Sequence, residues 1–206
     1  MSALVILKVI DISLPLSPDT PVFPGDPPVG IETMSLLSAG DTFRLTRISM
    51  SAHAGTHIDT PSHLFVDGGE IENIRLEDLI GPVYVIEFDG PRPLDESACK
   101  RMDIPSNFSR ILIKNKRPNA WMDETAAEWF SVSGAKLLGW DGLSVDPPES
   151  EKLPAHRALL ARGVHLVENL DLSQVTPGKY FLACLPLKLM GSDASPVRAV
   201  LLEDFV

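Results

Sequence analysis

The sequence predicts an α/β protein in which a mixed β-sheet is interspersed with helices. Short runs rich in Val, Ile and Leu recur along the whole chain and outnumber the segments with helical character. The helical segments lie between these runs, and no internal repeat or change of composition marks a domain boundary. The 206 residues therefore fit one domain, residues 1–206, with a sizeable core.

Strands are expected where β-branched and apolar residues cluster between turn residues. The histidine-rich segment after the third run is also expected to be extended. The nine predicted strands cover residues 4–12, 31–37, 43–52, 82–88, 110–114, 135–140, 164–167, 179–189 and 197–202.

Four segments are expected to be helical: residues 76–79, 95–102, 123–130 and 153–162. Asp95 can cap the second helix, because a carboxylate at this position accepts a hydrogen bond from a free backbone N–H. Pro154 is tolerated in the first turn of the fourth helix, and Gly163 ends that helix.

The segment 14–28 contains six prolines and is therefore expected to be a loop without ladder hydrogen bonds. Loops of this length in a compact domain usually serve a function. Phe23 lies between prolines on this stiff loop. Two interpretations stay open for its side chain: a wall of a substrate pocket, or an apolar contact with the core.

Composition restricts the partners of the protein. The formal net charge is −10, which argues against nucleic acid and against an anionic membrane surface. We expect a cytoplasmic protein, because the apolar residues 1–10 lack a basic region and a cleavage site and no window reaches the length of a membrane span. The two cysteines, Cys99 and Cys184, are interpreted as a helix residue and a small core residue.

The chemistry is expected in the segment 51–63, Ser-Ala-His-Ala-Gly-Thr-His-Ile-Asp-Thr-Pro-Ser-His. Imidazole and carboxylate groups are the ligands of Zn²⁺ and similar divalent metals. Gly55 and Pro61 disfavour a helix here, and in an extended segment His53, His57 and Asp59 would point to one side. A polar turn without a metal is the less favoured interpretation.

A catalytic metal site needs further ligands from elsewhere in the chain and an open position for water. His156 at the start of a helix and Glu168 at the end of a strand are the two candidates. His165 is three residues before Glu168 and would face away from it on a strand, so we expect it to be structural.

These residues resemble a known family. Residues 53–63 match the pattern H-x-G-T-H-x-D-x-P-x-H of the cyclase family, which includes bacterial kynurenine formamidases and is similar to isatin hydrolases. The likeness extends over nearly the whole chain. It includes Asp-Ile-Ser-Leu-Pro-Leu at 11–16, Pro-Val-Phe-Pro-Gly-Asp at 21–26, His-Arg-Ala-Leu-Leu at 156–160, Glu-Asn-Leu at 168–170, Pro-Leu-Lys at 186–188 and Pro-Val-Arg-Ala at 196–199.

The resemblance implies a swivelling β/β/α fold, a homodimer or larger homo-oligomer, and two metal ions in each subunit. It implies that Asp59 bridges the two ions, that His63 is an acid/base residue and not a ligand, and that Phe23 stands where the formamidases tend to have Trp. Phenylalanine keeps the aromatic surface of that wall but lacks the indole N–H donor. The implied metal ligands are His53, His57, Asp59, His156 and Glu168.

The expected activity is hydrolysis of an amide bond in a small molecule, because a divalent metal lowers the pKa of bound water toward neutrality. Zn²⁺ is the expected ion and Mn²⁺ the alternative. Substrates of this chemistry include aryl formamides such as N-formylkynurenine, cyclic amides, isatin-type rings and lactones. Two other classes compete: a cysteine hydrolase and a non-catalytic metal-binding protein. A serine hydrolase is disfavoured because no G-x-S-x-G motif occurs.

Overall fold

The computed structural model describes residues 8–90, 93–117 and 120–203. Ten strands and four α-helices are found in these residues, and they are labelled in chain order. The strands are β1 (Lys8–Asp11), β2 (Gly30–Ser35), β3 (Leu45–Ser49), β4 (His57–Asp59), β5 (Ile80–Phe88), β6 (Arg110–Asn115), β7 (Leu137–Trp140), β8 (His165–Glu168), β9 (Gly178–Pro186) and β10 (Ala194–Glu203). The helices are α1 (Leu76–Leu79), α2 (Glu96–Arg101), α3 (Glu124–Val132) and α4 (Pro154–Leu160).

Eight strands form one sheet in the order β1-β10-β4-β8-β7-β6-β5-β9. The sheet closes on itself, because β9 pairs with β5 through one side and with β10 through the other. The pairs β5–β6, β6–β7 and β7–β8 are parallel, whereas the remaining pairs are antiparallel. The predicted α/β class with a mixed sheet is confirmed. Its closure into a barrel-like form is not visible in the sequence.

Side chains alternate along the strands between two hydrophobic clusters, as the period of two in a strand requires. On β5, Val83 and Val85 lie in the cluster enclosed by the sheet, whereas Ile86 and Phe88 lie in the cluster that also contains the helices. Trp140 and Phe130 are fully buried in this outer cluster. Helices α2, α3 and α4 therefore cover the outer face of the parallel strands, whereas Leu79 of α1 lies in the enclosed cluster. Strand β4 is buried along its whole length.

The helix predictions agree with the structure. Asp95 accepts a hydrogen bond from the Ala98 N–H at 2.7 Å, and Asp123 caps α3 in the same way at 3.0 Å. Gly163 follows α4 with a φ of 73°, a left-handed conformation that glycine adopts without steric cost.

Several strand predictions need correction at their ends, and one prediction lies partly outside the described residues. The strand predicted over 43–52 extends only over β3, because residues 51–56 turn before the chain enters β4. The last two strands begin and end one to three residues away from the predicted bounds. Of the strand predicted over 4–12, residues 4–7 lie outside the described residues.

At one edge of the sheet the fold provides a place where a ligand can bind. The parallel strands β7 and β8 end there, and the loop 141–148 and Asn169 follow them directly. In α/β proteins binding sites form at the carboxyl ends of parallel strands. None of the described helices has both the length and the apolar composition needed to cross a lipid bilayer.

Candidate metal centre

The pairing of β4 with β8 brings three predicted ligands together: His57, Asp59 and Glu168. His57 and Asp59 alternate on β4 and therefore point to one face. Glu168 is the direct pairing partner of His57 on β8. The His57 Nε2 atom lies 3.3 Å from Asp59 Oδ1 and 3.7 Å from Glu168 Oε2. Two residues 111 positions apart in the chain thus meet because the strands pair in this register.

His53 reaches the same place by a different route, and the prediction of one extended segment is wrong for this residue. Residues 52–56 turn, with the Ala54 N–H donating to the Ser51 carbonyl at 3.1 Å. Gly55 has a φ of 67°, and a Cβ atom there would lie 2.5 Å from the side chain of Leu16. Glycine is therefore required at this turn, which returns the His53 Nδ1 atom to 2.9 Å from Asp59 Oδ1.

His156 enters the cluster from α4, whose first turn is held by Asp146. The Asp146 carboxylate accepts from the N–H groups of Ala155 and His156, each at 3.0 Å, and lies 2.7 Å from His156 Nδ1. The other ring nitrogen, Nε2, lies 3.5 Å from Asp59 Oδ2 and 3.4 Å from Glu168 Oε1. Both remote residues predicted from the sequence are therefore part of the cluster.

Asp59 occupies the centre of this cluster. Its side chain is fully buried, and neither carboxylate oxygen has a hydrogen bond of acceptable geometry among the described residues. Three imidazole nitrogens nevertheless approach these oxygens within 3.5 Å. A buried carboxylate without hydrogen bonds costs several kcal/mol, so nitrogen and oxygen lone pairs that converge in this way fit a divalent cation.

The outer nitrogen of each imidazole is held by a separate acceptor. His57 Nδ1 lies 2.8 Å from the Gly55 carbonyl, and His53 Nε2 lies 3.0 Å from Asp193 Oδ2. His156 Nδ1 faces Asp146, as described above. Such outer partners fix the tautomer and the ring orientation of metal-binding histidines. The inner nitrogens are thereby left free for a cation.

His63 lies beside the cluster and not within it. It ends a 3₁₀ turn, Pro61–His63, and its Nδ1 atom lies 3.1 Å from Asp193 Oδ2. Its ring centroid is 4.3 Å from that of His53 and 6.1 Å from that of His156. Asp193 thus contacts one predicted ligand and the predicted acid/base residue at the same time.

Burial and neighbouring charges set the protonation of the cluster in the absence of a cation. Burial opposes charge on His53, but Asp59 and Asp193 outweigh it and raise the pKa of His53 to about 9. Burial also opposes ionisation of Asp59, yet the adjacent imidazoles, with His57 first, hold the pKa of this carboxyl well below its usual range. Without a cation, protons on the histidines therefore balance the buried carboxylates.

A cavity with about 570 Å³ of empty space, part of it open to solvent, lies against the cluster. Its walls include His63 and Phe23, so Phe23 is at the pocket and not in either core cluster. Phe23 and Asp26 both line it from one tight turn, closed by the Asp26 N–H donating to the Phe23 carbonyl at 3.0 Å. Proline at the second position and Gly25 at a φ of 102° favour a type II turn.

Backbone strain lies next to two predicted ligands. Among the described residues, Leu153 and Asn169 are the non-glycine residues with positive φ, at 47° and 56°. Leu153 precedes α4 and also lines the cavity, and Asn169 directly follows Glu168. Such conformations cost about 1–3 kcal/mol and concentrate at functional sites.

Sequence reasoning missed Asp146, Asp193 and Asp26. The Gly-Leu-Ser-Val-Asp run in the predicted loop 141–148 and the Pro-Gly dipeptide before Asp26 were the available signals for two of them. Asp193 had no local signal, because it reaches the site only through the pairing of Ala194 with Asp59.

The other candidates lie away from the site. His165 faces Asp78, with 3.9 Å between Nε2 and Oδ2, and is not part of the cluster. Cys99 and Cys184 are buried free thiols, and burial raises the pKa of each to about 12. A thiol of this pKa is protonated at neutral pH, which argues against the cysteine-hydrolase alternative.

Comparison with known proteins identifies the family. The Cyclase family model matches residues 10–147. The chain is 37% identical over 199 residues to a kynurenine formamidase of Delftia acidovorans, with 93% of this chain and 95% of the relative covered. This chain belongs to the Cyclase family.

Solved structures agree with this assignment. A Bacillus stearothermophilus protein described as a predicted metal-dependent hydrolase is 30% identical, with a TM-score of 0.80 over 98% of this chain and 99% of that one. Isatin hydrolase A of Labrenzia aggregata, 23% identical, has a TM-score of 0.82 over 95% of this chain and 93% of its own. At this lower identity the second likeness concerns the fold alone.

Proposed function

We propose that the protein is a metal-dependent hydrolase that cleaves the amide bond of a small molecule. The observation that carries this proposal is the buried Asp59 carboxylate, whose unbonded oxygens face three imidazoles beside an open cavity. The formamidase relative supports cleavage of a carbon–nitrogen bond outside peptides. Aryl formamides such as N-formylkynurenine are the first substrates to test.

Three groups of the described residues could hold a cation, and two of them share Asp59. His53 and His57 form one of these two sets with Asp59, and His156 and Glu168 form the other, whereas the third group consists of His53, His63 and Asp193. Together with Asp146 and Asp193 the cluster carries four carboxylates, so with neutral imidazoles its formal charge is −4. Two divalent cations balance this charge, and Zn²⁺, or alternatively Mn²⁺, suits imidazole and carboxylate ligands. When bound, such ions supply a Lewis acid for the carbonyl and lower the pKa of water.

The remaining residues would bind the substrate and move protons. His63 would act as general acid and base, because Asp193 holds its Nδ1 atom and its ring faces the cavity. Phe23 would pack against the apolar part of the substrate, and its wall position supports an aromatic group there. Burial of this contact would exclude water from one side of the reacting amide.

Ring-opening of isatin-type substrates or lactones is the second candidate activity, because the same Lewis acid and the same general acid and base would serve hydrolysis of their carbonyl groups. The open cavity beside the cluster argues against a purely structural metal site, since such sites are closed. We further propose that the enzyme is a cytoplasmic homo-oligomer, and the two unpaired thiols are in keeping with a reducing compartment.

Metal analysis combined with a substrate panel tests this proposal. The panel contains an aryl formamide, a cyclic amide, isatin and a lactone, each assayed before and after chelation and after return of Zn²⁺ or Mn²⁺. We expect hydrolysis that is lost on chelation and restored by one of the ions. A protein that binds metal but hydrolyses none of the four classes would favour the non-catalytic alternative.

A further inference from the structure

The cavity beside the metal cluster contains a carboxylate that the proposed hydrolysis does not use. Asp26 lines this cavity together with Phe23, and its side chain is half-buried. No hydrogen bond or ion pair to the Asp26 side chain is found among the described residues, and Asp26 belongs to none of their groups that could hold a metal. A carboxylate without a partner at the wall of a cavity is available to a bound molecule.

The turn that holds Asp26 does not require its carboxylate. The backbone hydrogen bond from Asp26 to Phe23 closes the turn, and the proline and glycine at its centre suit a type II turn, which makes no demand on the side chain that follows them. Pro27 restricts the backbone of Asp26, and Val29 is buried. The carboxylate is thus held in place before a ligand binds, which lowers the entropic cost of binding.

The charge of the cavity favours a cation near Asp26. Two divalent ions of charge +2 would balance the formal charge of −4 on the metal cluster, and Asp26 then leaves the loaded cavity at −1. None of the described residues that line the cavity is Lys or Arg. A substrate carboxylate would therefore meet no cationic side chain there, whereas an ammonium group would pair with Asp26.

The walls next to this carboxylate are apolar and partly aromatic. Phe23, Leu143 and Leu153 are the apolar residues that line the cavity. Phe23 belongs to the same turn as Asp26, and the faces of aromatic rings attract ammonium groups. The empty space of about 570 Å³ is large enough for a molecule with one aromatic ring. An aromatic ring with a short cationic side chain therefore matches both features of this wall.

We propose that the cavity selects aryl amides whose side chain carries a cation and no carboxylate, and that Asp26 determines this selection. The inference rests on the proposed hydrolysis and names its substrate class. It ranks N-formylkynurenine, which has both an ammonium and a carboxylate group, below its decarboxylated analogue. Both compounds offer an ammonium group to Asp26, but only the amino acid has a carboxylate that would lose water without gaining a cationic partner.

Four aryl formamides with the same ring system test the selection. Their side chains carry an ammonium group alone, an ammonium and a carboxylate group as in N-formylkynurenine, a carboxylate alone, or no charge. We expect kcat/KM to be highest for the first compound and about tenfold above that of the uncharged one, because hydrogen bonds between charged groups contribute enough for a factor of this size. Equal values across the series, or the highest value for either compound with a carboxylate, would overturn the proposal.

Charge changes at Asp26 test the residue. Asp26→Asn should make the ammonium and the uncharged compounds equal, and Asp26→Lys should move the preference to the compound with a carboxylate alone. Asp19→Lys is the matched control, because Asp19 is an exposed acidic residue of the same proline-rich loop and does not line the cavity. A preference that survives in Asp26→Asn, or that Asp19→Lys abolishes equally, would refute the role of Asp26.

Binding of the amine products separates this inference from the proposed hydrolysis. Calorimetric titration of the metal-loaded protein with the four amines that hydrolysis would release needs no turnover. We expect the amine with the ammonium side chain to bind about tenfold more tightly than the uncharged amine in the wild type, but not in Asp26→Asn. Absent turnover with this binding preference intact would refute hydrolysis alone. Turnover without any preference would refute the selection alone, and absent turnover with equal binding would refute both.

Discussion

Competition between protons and metal is the sharpest test of the ligand assignment. In the protein without metal, the Asp59 and Asp193 carboxylates raise the pKa of His53 to about 9, and the pKa values of His57 and His156 are also raised. A cation binds only to neutral imidazoles. Metal binding at pH 7 must therefore release protons from this cluster.

The size of the expected pH effect on metal affinity follows from the pKa of His53. At pH 7 displacement of its proton weakens the apparent metal affinity by about 100-fold, since 9 − 7 is two pH units. The affinity should then rise about tenfold for each pH unit between 6 and 9 if one proton is released, and more steeply if His57 and His156 also release theirs. Above pH 9 the contribution of His53 should level off.

Stability without metal should change in the opposite sense. The pKa of His53 is higher in the folded protein, at about 9, than its ordinary value of 6.5. Its protonated form therefore stabilises the fold fully below pH 6.5, and this contribution is lost as the pH rises through 9. A difference of 2.5 units corresponds to about 3 kcal/mol. Metal-free protein should thus lose stability toward alkaline pH, whereas the stabilisation by added metal should grow.

Calorimetric titration of chelator-treated protein with Zn²⁺, in two buffers of different ionisation enthalpy, counts the released protons at each pH. Thermal unfolding of the same samples with and without metal gives the two stability trends. Asp59→Asn is the control, because it removes the charge at the centre without changing the shape; we expect it to lose metal binding. Metal affinity that is independent of pH between 6 and 9, without proton release, would refute the assignment of the histidines as ligands.

Four substitutions test single residues. Glu168→Gln should lower metal content and activity severely, whereas His165→Ala, which removes only a contact with Asp78, should change both little. If elemental analysis gave the reverse order, His165 and not Glu168 would be the ligand from this strand. His63→Ala should keep the metal and lower kcat by about 10²–10⁴ as expected for general acid–base catalysis, and a full rate would exclude that role. Asp26→Asn should raise KM for substrates with an ammonium group and leave KM for neutral aryl formamides unchanged. Only the ammonium substrates are attracted by a carboxylate at the pocket. Equal changes of KM for both classes of substrate would contradict this prediction.

The sequence was informative about features that depend on residues close together in the chain. The spacing of His57 and Asp59 is enough to place both on one face of a strand, and α4 could be predicted from Pro154 and Gly163. The turn at His53 was not predictable in the same way, because its shape depends on Leu16 packing against Gly55. The local pattern thus indicated a residue that does reach the cluster, but it predicted the wrong backbone conformation for it.

Contacts between distant segments set the remaining features. The sheet closes because β9 pairs with one strand on each of its two sides. No pattern in the residues of β9 predicts this double pairing. Asp146 could have been read only as a loop residue, although its carboxylate holds the first turn of α4 and the ring of His156. Such residues position a site through register and capping, which a single sequence does not encode in a short motif.

Asp193 links His53, the proposed ligand, to His63, the proposed acid/base residue. Its carboxylate oxygen faces His53 Nε2 at 3.0 Å and His63 Nδ1 at 3.1 Å. The start of β10 fixes the position of Asp193, because Ala194 pairs with Asp59 and the Asp193 carbonyl accepts from the Thr60 N–H at 3.0 Å. One carboxylate therefore sets the orientation of both rings. A cation at Asp59 that orders His53 would also order His63. Proton transfer and metal binding would therefore both depend on the position of the Asp193 carboxylate.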